Sequence, residues 1–145
     1  MSTVGRSAIV NHSAQEMFSL VSDIESYPSF LPWCDRASVA ERSAGRTVAT
    51  LRINFGVLKE EFTTENLERA GESIDMKLVS GPFRSLEGGW RFTPLSEDAC
   101  KVELNLRYEF KSALLGKLIG AAFDTIAGSL VDAFARQADG RFGGA

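Results

Sequence analysis

Residues 102–110 alternate strictly between apolar and polar side chains, and no other feature limits the fold of this chain as strongly. The apolar set is Val102, Leu104, Leu106, Tyr108 and Phe110. The polar set is Glu103, Asn105, Arg107 and Glu109. Successive side chains of a β-strand point to opposite faces of the sheet. The pattern therefore predicts a strand of an antiparallel sheet with one covered face and one face in water.

Weaker alternation of the same period extends back to Asp35 and predicts about six strands between Asp35 and Phe110. Gly81-Pro82 marks one of the turns between them. Gly88-Gly89 lies within a strand, where we expect a β-bulge that bends the sheet. The alternative is a point where a ligand approaches the backbone.

One of these strands carries an apolar residue among polar ones on the same face. The residues of that face are Glu60, Phe62, Thr64 and Asn66. Because burial of unpaired polar groups is costly, we expect the strand to turn this polar face to water. The alternative is an interior cavity with a polar end.

Helices are predicted at both ends of the strand-rich region. Thr3–Asn11 is typical of a short strand, and Ser13 with Glu16 forms a capping box that starts a helix ending near Asp23. Residues 112–138 predict a long helix. Its apolar stripe contains Leu115, Ile119, Ala122, Phe123, Ile126, Leu130, Ala133 and Phe134. The apolar residues outside that stripe are Leu114, Leu118 and Val131.

The segment from Tyr27 to Trp33 combines two prolines with a high density of large apolar groups. Pro28 and Pro32 exclude a long regular helix here. The segment therefore predicts either a short helical turn with an ordered loop or a hydrophobic lid. Strands gathered together, with helices at the ends, indicate an α+β fold. One helical stripe cannot fill a concave sheet of six or seven strands, so a cavity between them is expected.

Length and charge indicate the broad class of protein. A chain of 145 residues suits one domain, which we place at residues 1–139 with a flexible tail at 140–145. The net charge of −3 disfavours broad coating of DNA. A solvated, mixed-charge surface is expected for the arginines of the strand region, which are Arg36, Arg42, Arg46, Arg52, Arg84, Arg91 and Arg107.

Cysteine, histidine and hydropathy patterns exclude further classes. Cys34, Cys100 and His12 are fewer than the four ligands of a structural zinc site, and no metal site is expected. We expect both thiols to be buried and His12 to lie exposed in a loop. The apolar stretch 114–134 is interrupted by charged residues, so no transmembrane helix is expected. The N-terminus lacks the apolar run of a signal peptide, which predicts a cytosolic location.

Three segments carry a resemblance to a known family. They are Asp-Ile-Glu-Ser-Tyr-Pro-Ser-Phe-Leu-Pro-Trp-Cys at 23–34, Gly-Pro-Phe-Arg-Ser-Leu-Glu-Gly-Gly-Trp-Arg-Phe at 81–92 and Leu-Arg-Tyr-Glu-Phe at 106–110. The chain resembles the coenzyme Q-binding START-domain proteins and their bacterial relatives, the ribosome-association toxins. Both belong to the polyketide cyclase/START-like superfamily. The resemblance covers nearly the whole chain.

The resemblance implies a helix-grip fold, in which a curved antiparallel sheet wraps around the C-terminal helix and encloses a hydrophobic tunnel. It implies a noncatalytic chaperone for a lipid, most simply a polyisoprenoid quinone such as ubiquinone, that supports respiration and requires no cofactor. The toxin branch implies instead a protein that binds the large ribosomal subunit and blocks subunit joining. A cyclase or aromatase-like enzyme is a second alternative. The implied location is the bacterial cytoplasm, with transient contact at the inner membrane.

Ligand-binding residues are expected in the lid, on the inward face of the sheet and along the C-terminal helix. They are Tyr27, Phe30, Leu31, Trp33, Phe62, Met76, Leu78, Trp90, Phe92, Leu106, Tyr108, Leu118, Phe123, Ile126 and Leu130. Trp90 and Tyr108 each offer a polar group that can bond a quinone carbonyl. No catalytic residues are assigned, because neither a Ser-His-Asp set nor a metalloprotease motif is present.

Overall fold

Most of the chain forms strands that follow one another in sequence, with helices near each end. The computed structural model describes residues 2–143. In chain order the elements are β1 (Ser2–Val10), α1 (Ala14–Ser22), a 3₁₀ helix (Ile24–Ser29), β2 (Cys34–Ser43), β3 (Arg46–Phe55), β4 (Leu58–Arg69), β5 (Ser73–Ser80), β6 (Phe83–Ser96), β7 (Ala99–Phe110) and α2 (Ala113–Phe142).

The strands form one seven-stranded sheet in the order β1-β7-β6-β5-β4-β3-β2, and every neighbouring pair is antiparallel. The six strands from Cys34 to Phe110 are joined by hairpins, as the alternation predicts. β1 forms the edge of the sheet opposite to β2 and pairs with β7, where Val4 lies opposite Leu106. The curved sheet around a long C-terminal helix confirms the α+β, helix-grip prediction.

The start of α1 confirms the predicted capping box. The Glu16 backbone N–H donates to Ser13 Oγ at 3.1 Å, and the Ser13 backbone N–H donates to Glu16 Oε1 at 3.0 Å. These bonds satisfy amides that a helix start otherwise leaves unpaired. α1 then buries Met17, Leu20 and Val21. The capping box thus fixes where the chain turns from the sheet edge onto the core.

α2 lies on the concave face of the sheet and also contacts α1. Its buried residues are Ile119, Phe123, Ile126, Ala127, Val131, Phe134 and Ala138. The prediction that Val131 lies outside the buried stripe is wrong, since this residue is 3% exposed. Packing against two neighbours widens the buried arc of the helix beyond a single stripe.

α2 is longer than the sequence predicts, and its length matters for the expectation that no segment can cross a membrane. Its 30 residues span about 45 Å at about 1.5 Å per residue. By length and composition alone the helix could cross a membrane, which the sequence analysis did not expect. Here its apolar face packs on the sheet, as in the core helix of an α+β domain.

Two predictions about the chain ends are wrong. His12 was expected at the surface but is buried, with 5% of its area exposed, and its Nε2 lies 2.8 Å from Asp139 Oδ1. α2 continues through Gly140 to Phe142, so these residues of the predicted tail are helical. The Phe142 ring packs 6.0 Å from the His12 ring, between centroids. Gly144 and Ala145 lie outside the described residues. The β1–α1 turn therefore holds the last turn of α2.

Gly88-Gly89 does not form the predicted β-bulge, because the pairing of β6 with both neighbours is continuous there. A Cβ on Gly88 would lie 2.0 Å from the Asn105 carbonyl oxygen, and one on Gly89 would lie 2.3 Å from that of Ile74. Gly88 also has φ +147°, which favours glycine. Both glycines are therefore required by close approach of the neighbouring strands.

Replacement of Asp139 tests the contact between the chain ends. Asp139→Ala leaves the buried His12 Nε2 without its partner, and we expect a loss of about 1–2 kcal/mol in the free energy of unfolding. The measurement is urea denaturation at neutral pH. Asp132→Ala, on an exposed part of the same helix, is the matched control and should change stability by less than about 0.5 kcal/mol. Equal effects of the two substitutions would contradict a stabilising role for the His12–Asp139 contact.

Candidate functional site

A cavity lies between α2 and the concave face of the sheet. Its walls come from the 3₁₀ helix, strands β3 to β7 and α2. The space open to the centres of water molecules is about 80 Å³. One water needs roughly 10–15 Å³ by this measure, so the cavity has room for roughly five to eight waters. This is about half the roughly 150 Å³ of a cavity that binds benzene, so a ring enters this space only if lining side chains move apart.

The structure brings nine of the fifteen predicted ligand-binding residues together around this cavity. They are Tyr27, Trp33, Phe62, Met76, Trp90, Leu106, Phe123, Ile126 and Leu130. The strand alternation and the helical stripe thus placed the correct faces of β5 to β7 and α2 toward the interior. Their role in binding a ligand stays a prediction.

Three other predicted residues are core residues that do not reach the cavity. Phe92 packs between Trp90 and Phe18 of α1. Leu78 is half-buried near the end of β5. Tyr108 is fully buried outside the cavity lining, and its hydroxyl donates to Asp124 of α2. The expectation that Tyr108 offers a polar group to a ligand is therefore wrong.

The remaining three predicted residues lie at the surface or in a neighbouring groove. Leu118 is 60% exposed, because it lies on the face of α2 that points away from the sheet. Phe30 and Leu31 line a groove next to the cavity. Phe30 packs against Tyr27 and Phe134, so the aromatic part of the predicted lid is built into the core.

The groove runs between the loop from Phe30 to Trp33, the end of β3 at Phe55, and the part of α2 between Thr125 and Gln137. Its volume by the same measure is about 370 Å³, and it is more open than the cavity. Trp33 and Ile126 line both spaces. These two side chains therefore separate the cavity from the groove, and their movement would connect the two.

The cavity also contains residues that the sequence analysis did not assign to a ligand site. They are Ile24, Ala49, Leu51, Ile53, Thr64, Asn66, Leu86, Ala127 and Phe134. Two signals could have found most of them. Ala49, Leu51 and Ile53 alternate on one face of β3, and Ala127 and Phe134 share a helical face with Phe123 and Leu130.

Thr64 and Asn66 give the cavity a polar end, against the expectation that β4 turns its polar face to water. Thr64 is 7% exposed and Asn66 is 5% exposed. Thr64 Oγ1 donates to Asn66 Oδ1 at 2.8 Å. The pair can remain buried because the two side chains bond each other, which lowers the cost of removing them from water.

Tyr27 is the cavity residue whose ionisation is most strongly affected by its surroundings. Its hydroxyl donates to the Val21 carbonyl oxygen. Burial is the main cause that raises the pKa of this phenol far above its ordinary value, and nearby Cys34 and Asp23 add to the effect. Tyr27 is therefore neutral at physiological pH. Among the residues described, no Asp, Glu, His, Lys or Arg lines the cavity.

The sequence from residue 10 to residue 135 matches the family model described as polyketide cyclase / dehydrase and lipid transport. The chain belongs to this family.

The curated proteins similar to this chain include proteins named as toxins and a protein named as coenzyme Q-binding. The "Ribosome association toxin RatA" of Vibrio cholerae is 45% identical over 143 residues, which cover 99% of each chain. The "Coenzyme Q-binding protein COQ10 homolog B, mitochondrial" of Xenopus laevis is 32% identical over 141 residues, 94% of this chain and 58% of that protein. Both branches expected from the sequence motifs are thus represented among the relatives.

The fold is shared with a solved structure of low sequence identity. The Zhui aromatase/cyclase from Streptomyces sp. R1128 has a TM-score of 0.85 over 97% of this chain and 95% of its own, at 15% identity. At this identity the comparison shows the fold alone. It places the family member described here among helix-grip proteins.

The outer face of this family member has a mixed-charge surface, as predicted. Six of the seven arginines noted in the strand region form ion pairs with carboxylates. Arg46 bonds both Glu41 and Glu65, and Arg107 bonds Glu87 at 2.7 Å. Because carboxylates neutralise these cations locally, the strands present no concentrated positive field within residues 2–143.

The two tyrosines predict how stability changes at alkaline pH. Burial raises the pKa of both phenols, and the bond to Asp124 adds to the effect at Tyr108. The unfolded chain loses these protons near pH 10, before the folded chain does. The contribution of the two tyrosines to the free energy of unfolding is therefore fully present below pH 10 and falls as the pH rises above 10.

We expect urea denaturation to show a smaller loss of stability between pH 9 and pH 11 in Tyr27→Phe and in Tyr108→Phe than in the unsubstituted protein. Burial raises the pKa of the Cys34 thiol to about 11, and this group contributes in the same direction in all three proteins. An identical pH dependence in all three would show that the tyrosines ionise equally in the folded and unfolded states.

Proposed function

We propose that this protein binds an uncharged apolar ligand in its cavity without transforming it, and that the ligand is a polyisoprenoid quinone such as ubiquinone. The observation that supports this most directly is the lining, which is aliphatic and aromatic apart from a few neutral polar groups. A fatty acid with its head group at Thr64 and Asn66 would bring a carboxylate into a space without a cation, which is strongly unfavourable. The neutral polar end at Thr64 and Asn66 suits a neutral head group.

The two adjoining spaces suit the two parts of such a ligand. A ring enters the cavity once the lining side chains move apart, while a complete prenyl tail is too long for it. The tail would pass between Trp33 and Ile126 into the groove, where Phe30, Leu31 and Phe55 provide apolar contacts. Burial of tail surface contributes about 25 cal/mol per Å² before the cost of association. Such a protein would hold a water-insoluble quinone in support of respiration.

A cyclase or aromatase activity is less well supported by the same lining. Proton transfer at neutral pH needs a group that titrates near that pH. Tyr27 is the titratable residue of the described lining, its hydroxyl is engaged with Val21, and its pKa is raised. The lining therefore favours binding over acid–base chemistry.

Filling the cavity from α2 tests the proposal. Ala127 lines the cavity and is buried, so Ala127→Leu places three further carbon atoms in the space where the ring would lie. We expect affinity for a benzoquinone with a ten-carbon tail to fall by at least about fivefold, since overpacking costs about 1–3 kcal/mol. Binding can be measured by fluorescence quenching, because both tryptophans of the chain, Trp33 and Trp90, line the cavity.

The matched control is Ala121→Leu, the same substitution at an exposed position of the same helix. It should leave affinity unchanged, and thermal unfolding should show that both variants are folded. Solvent extraction of the purified protein followed by mass spectrometry tests for a retained quinone. A protein that contains no quinone as isolated and does not bind the added one would contradict the proposal.

Binding to the large ribosomal subunit is the second candidate function, and the names of the RatA relatives favour it. It would use the outer surface, since the cavity is enclosed by the sheet and α2. We expect cosedimentation with salt-washed large subunits at about 50 mM salt and weaker binding at about 200 mM, because contacts to phosphate depend on salt. Ala127→Leu should bind equally well. Absence of cosedimentation at the lower salt concentration would exclude this function.

A further inference from the structure

The polar end of the cavity contains a side chain with unused hydrogen-bond donors. Asn66 lies on β4 opposite Thr47 of β3 and Met76 of β5, and it faces the cavity. Its Oδ1 accepts the bond from Thr64. Its Nδ2 has no hydrogen-bond partner among residues 2–143, although the residue is 5% exposed.

The Asn66 amide is open to the cavity rather than sealed in the core. Among the described residues, no fully buried side-chain nitrogen or oxygen lacks a partner. An unpartnered Nδ2 must therefore touch open space, and the cavity is the space that Asn66 lines. The indole N–H groups of Trp33 and Trp90 likewise bond to no other described residue. Trp90 lines the cavity, and Trp33 lines both the cavity and the groove.

The unpartnered polar groups of the cavity are thus all donors. The oxygens each have a partner already, because Thr64 donates to Asn66 Oδ1 and Tyr27 donates to the Val21 carbonyl oxygen. A ligand that offers only acceptors satisfies these free donors. A ligand hydroxyl must also place its own proton, and the acceptors that the cavity offers it are the remaining lone pairs of the Thr64, Tyr27 and Asn66 oxygens, each of which already takes part in one bond.

We infer that Asn66 is the specificity-determining residue of the cavity, and that it makes the protein bind the oxidised quinone in preference to the hydroquinone. This inference rests on the proposed function. A quinone presents carbonyl oxygens, which accept from the Asn66 amide. A hydroquinone presents hydroxyl groups, each of which loses a bond from its proton to water when it is buried.

The geometry also orients the ligand. On β3, Thr47 lies opposite Asn66, and Ile53 lies six residues further along the same strand. Asn54, which follows Ile53, donates its backbone N–H to the Trp33 carbonyl oxygen. Six residues of a strand span about 20 Å. Asn66 and the boundary with the groove are therefore at opposite ends of the cavity. A ring carbonyl at Asn66 leaves the tail directed toward Trp33, Ile126 and the groove.

The test compares the two redox forms of one ligand. Equilibrium dialysis under anaerobic conditions gives the Kd of a benzoquinone with a ten-carbon tail and of its hydroquinone. One hydrogen bond corresponds to about a fivefold difference in affinity, and we expect the unsubstituted protein to favour the oxidised form by at least about fivefold. In Asn66→Leu, which keeps the number and branching of the side-chain heavy atoms but removes both donors, the quinone should bind about five- to tenfold more weakly and the preference should disappear.

Two further variants separate donor loss from altered packing. Thr64→Val frees Asn66 Oδ1 to accept a hydroquinone proton, so it should narrow the preference while the quinone still binds. Ala121→Leu, at an exposed position of α2 outside the cavity, changes no hydrogen bond and should leave the preference intact. These variants keep the inference testable if Asn66→Leu does not fold.

The possible outcomes distinguish this inference from the proposed function. Equal binding of both forms, or tighter binding of the hydroquinone by the unsubstituted protein, would overturn the role of Asn66 and leave the proposed function standing. An unchanged preference in a folded Asn66→Leu variant would do the same. Binding of neither form would overturn both.

Discussion

The structure depends on the mismatch in width between a seven-stranded sheet and the single long helix packed on it. Strands about 4.8 Å apart make such a sheet about 29 Å wide, while a helix with its side chains is about 10–12 Å across. α1 and the 3₁₀ helix cover part of the remaining surface, and Tyr27, Phe30 and Phe134 pack together where they meet α2. The sheet curves toward α2 but cannot close on it everywhere, and the space left over is the cavity.

The same mismatch explains why polar residues are tolerated inside. In a fully packed interior, Asn66 would need partners for both its amide hydrogens and its oxygen. At the edge of a cavity, the bond from Thr64 satisfies the oxygen while the amide faces open space. The donors of Trp33 and Trp90 are placed in the same way. The chemical preference that we propose for the cavity therefore follows from which polar atoms the fold leaves unused.

Local patterns predicted the elements, and the same patterns failed where distant parts of the chain meet. The alternation at 102–110 and the Ser13–Glu16 box determine a strand and a helix start through neighbours in sequence, so one sequence was enough. The burial of His12 depends on Asp139, which is 127 residues away. Leu118 and Tyr108 are both suitable residues for a ligand site, but the rotation of α2 on the sheet places one in solvent and the other against Asp124. The rotation of α2 about its axis cannot be predicted from the spacing of apolar residues in the sequence.

The inner and outer faces of the sheet differ in how their polar groups are satisfied, and this difference bears on the two candidate functions. On the outer face, arginines and carboxylates of neighbouring strands pair with each other, as Arg107 does with Glu87. Exposed pairs of this kind contribute little to stability, but they leave few free charges for a partner. On the inner face, donors remain unpaired in an apolar space, where a hydrogen bond is worth more than in water. The capacity for selective recognition is therefore concentrated in the interior, and a partner on the outer surface would have to use residues beyond these ion-paired strands.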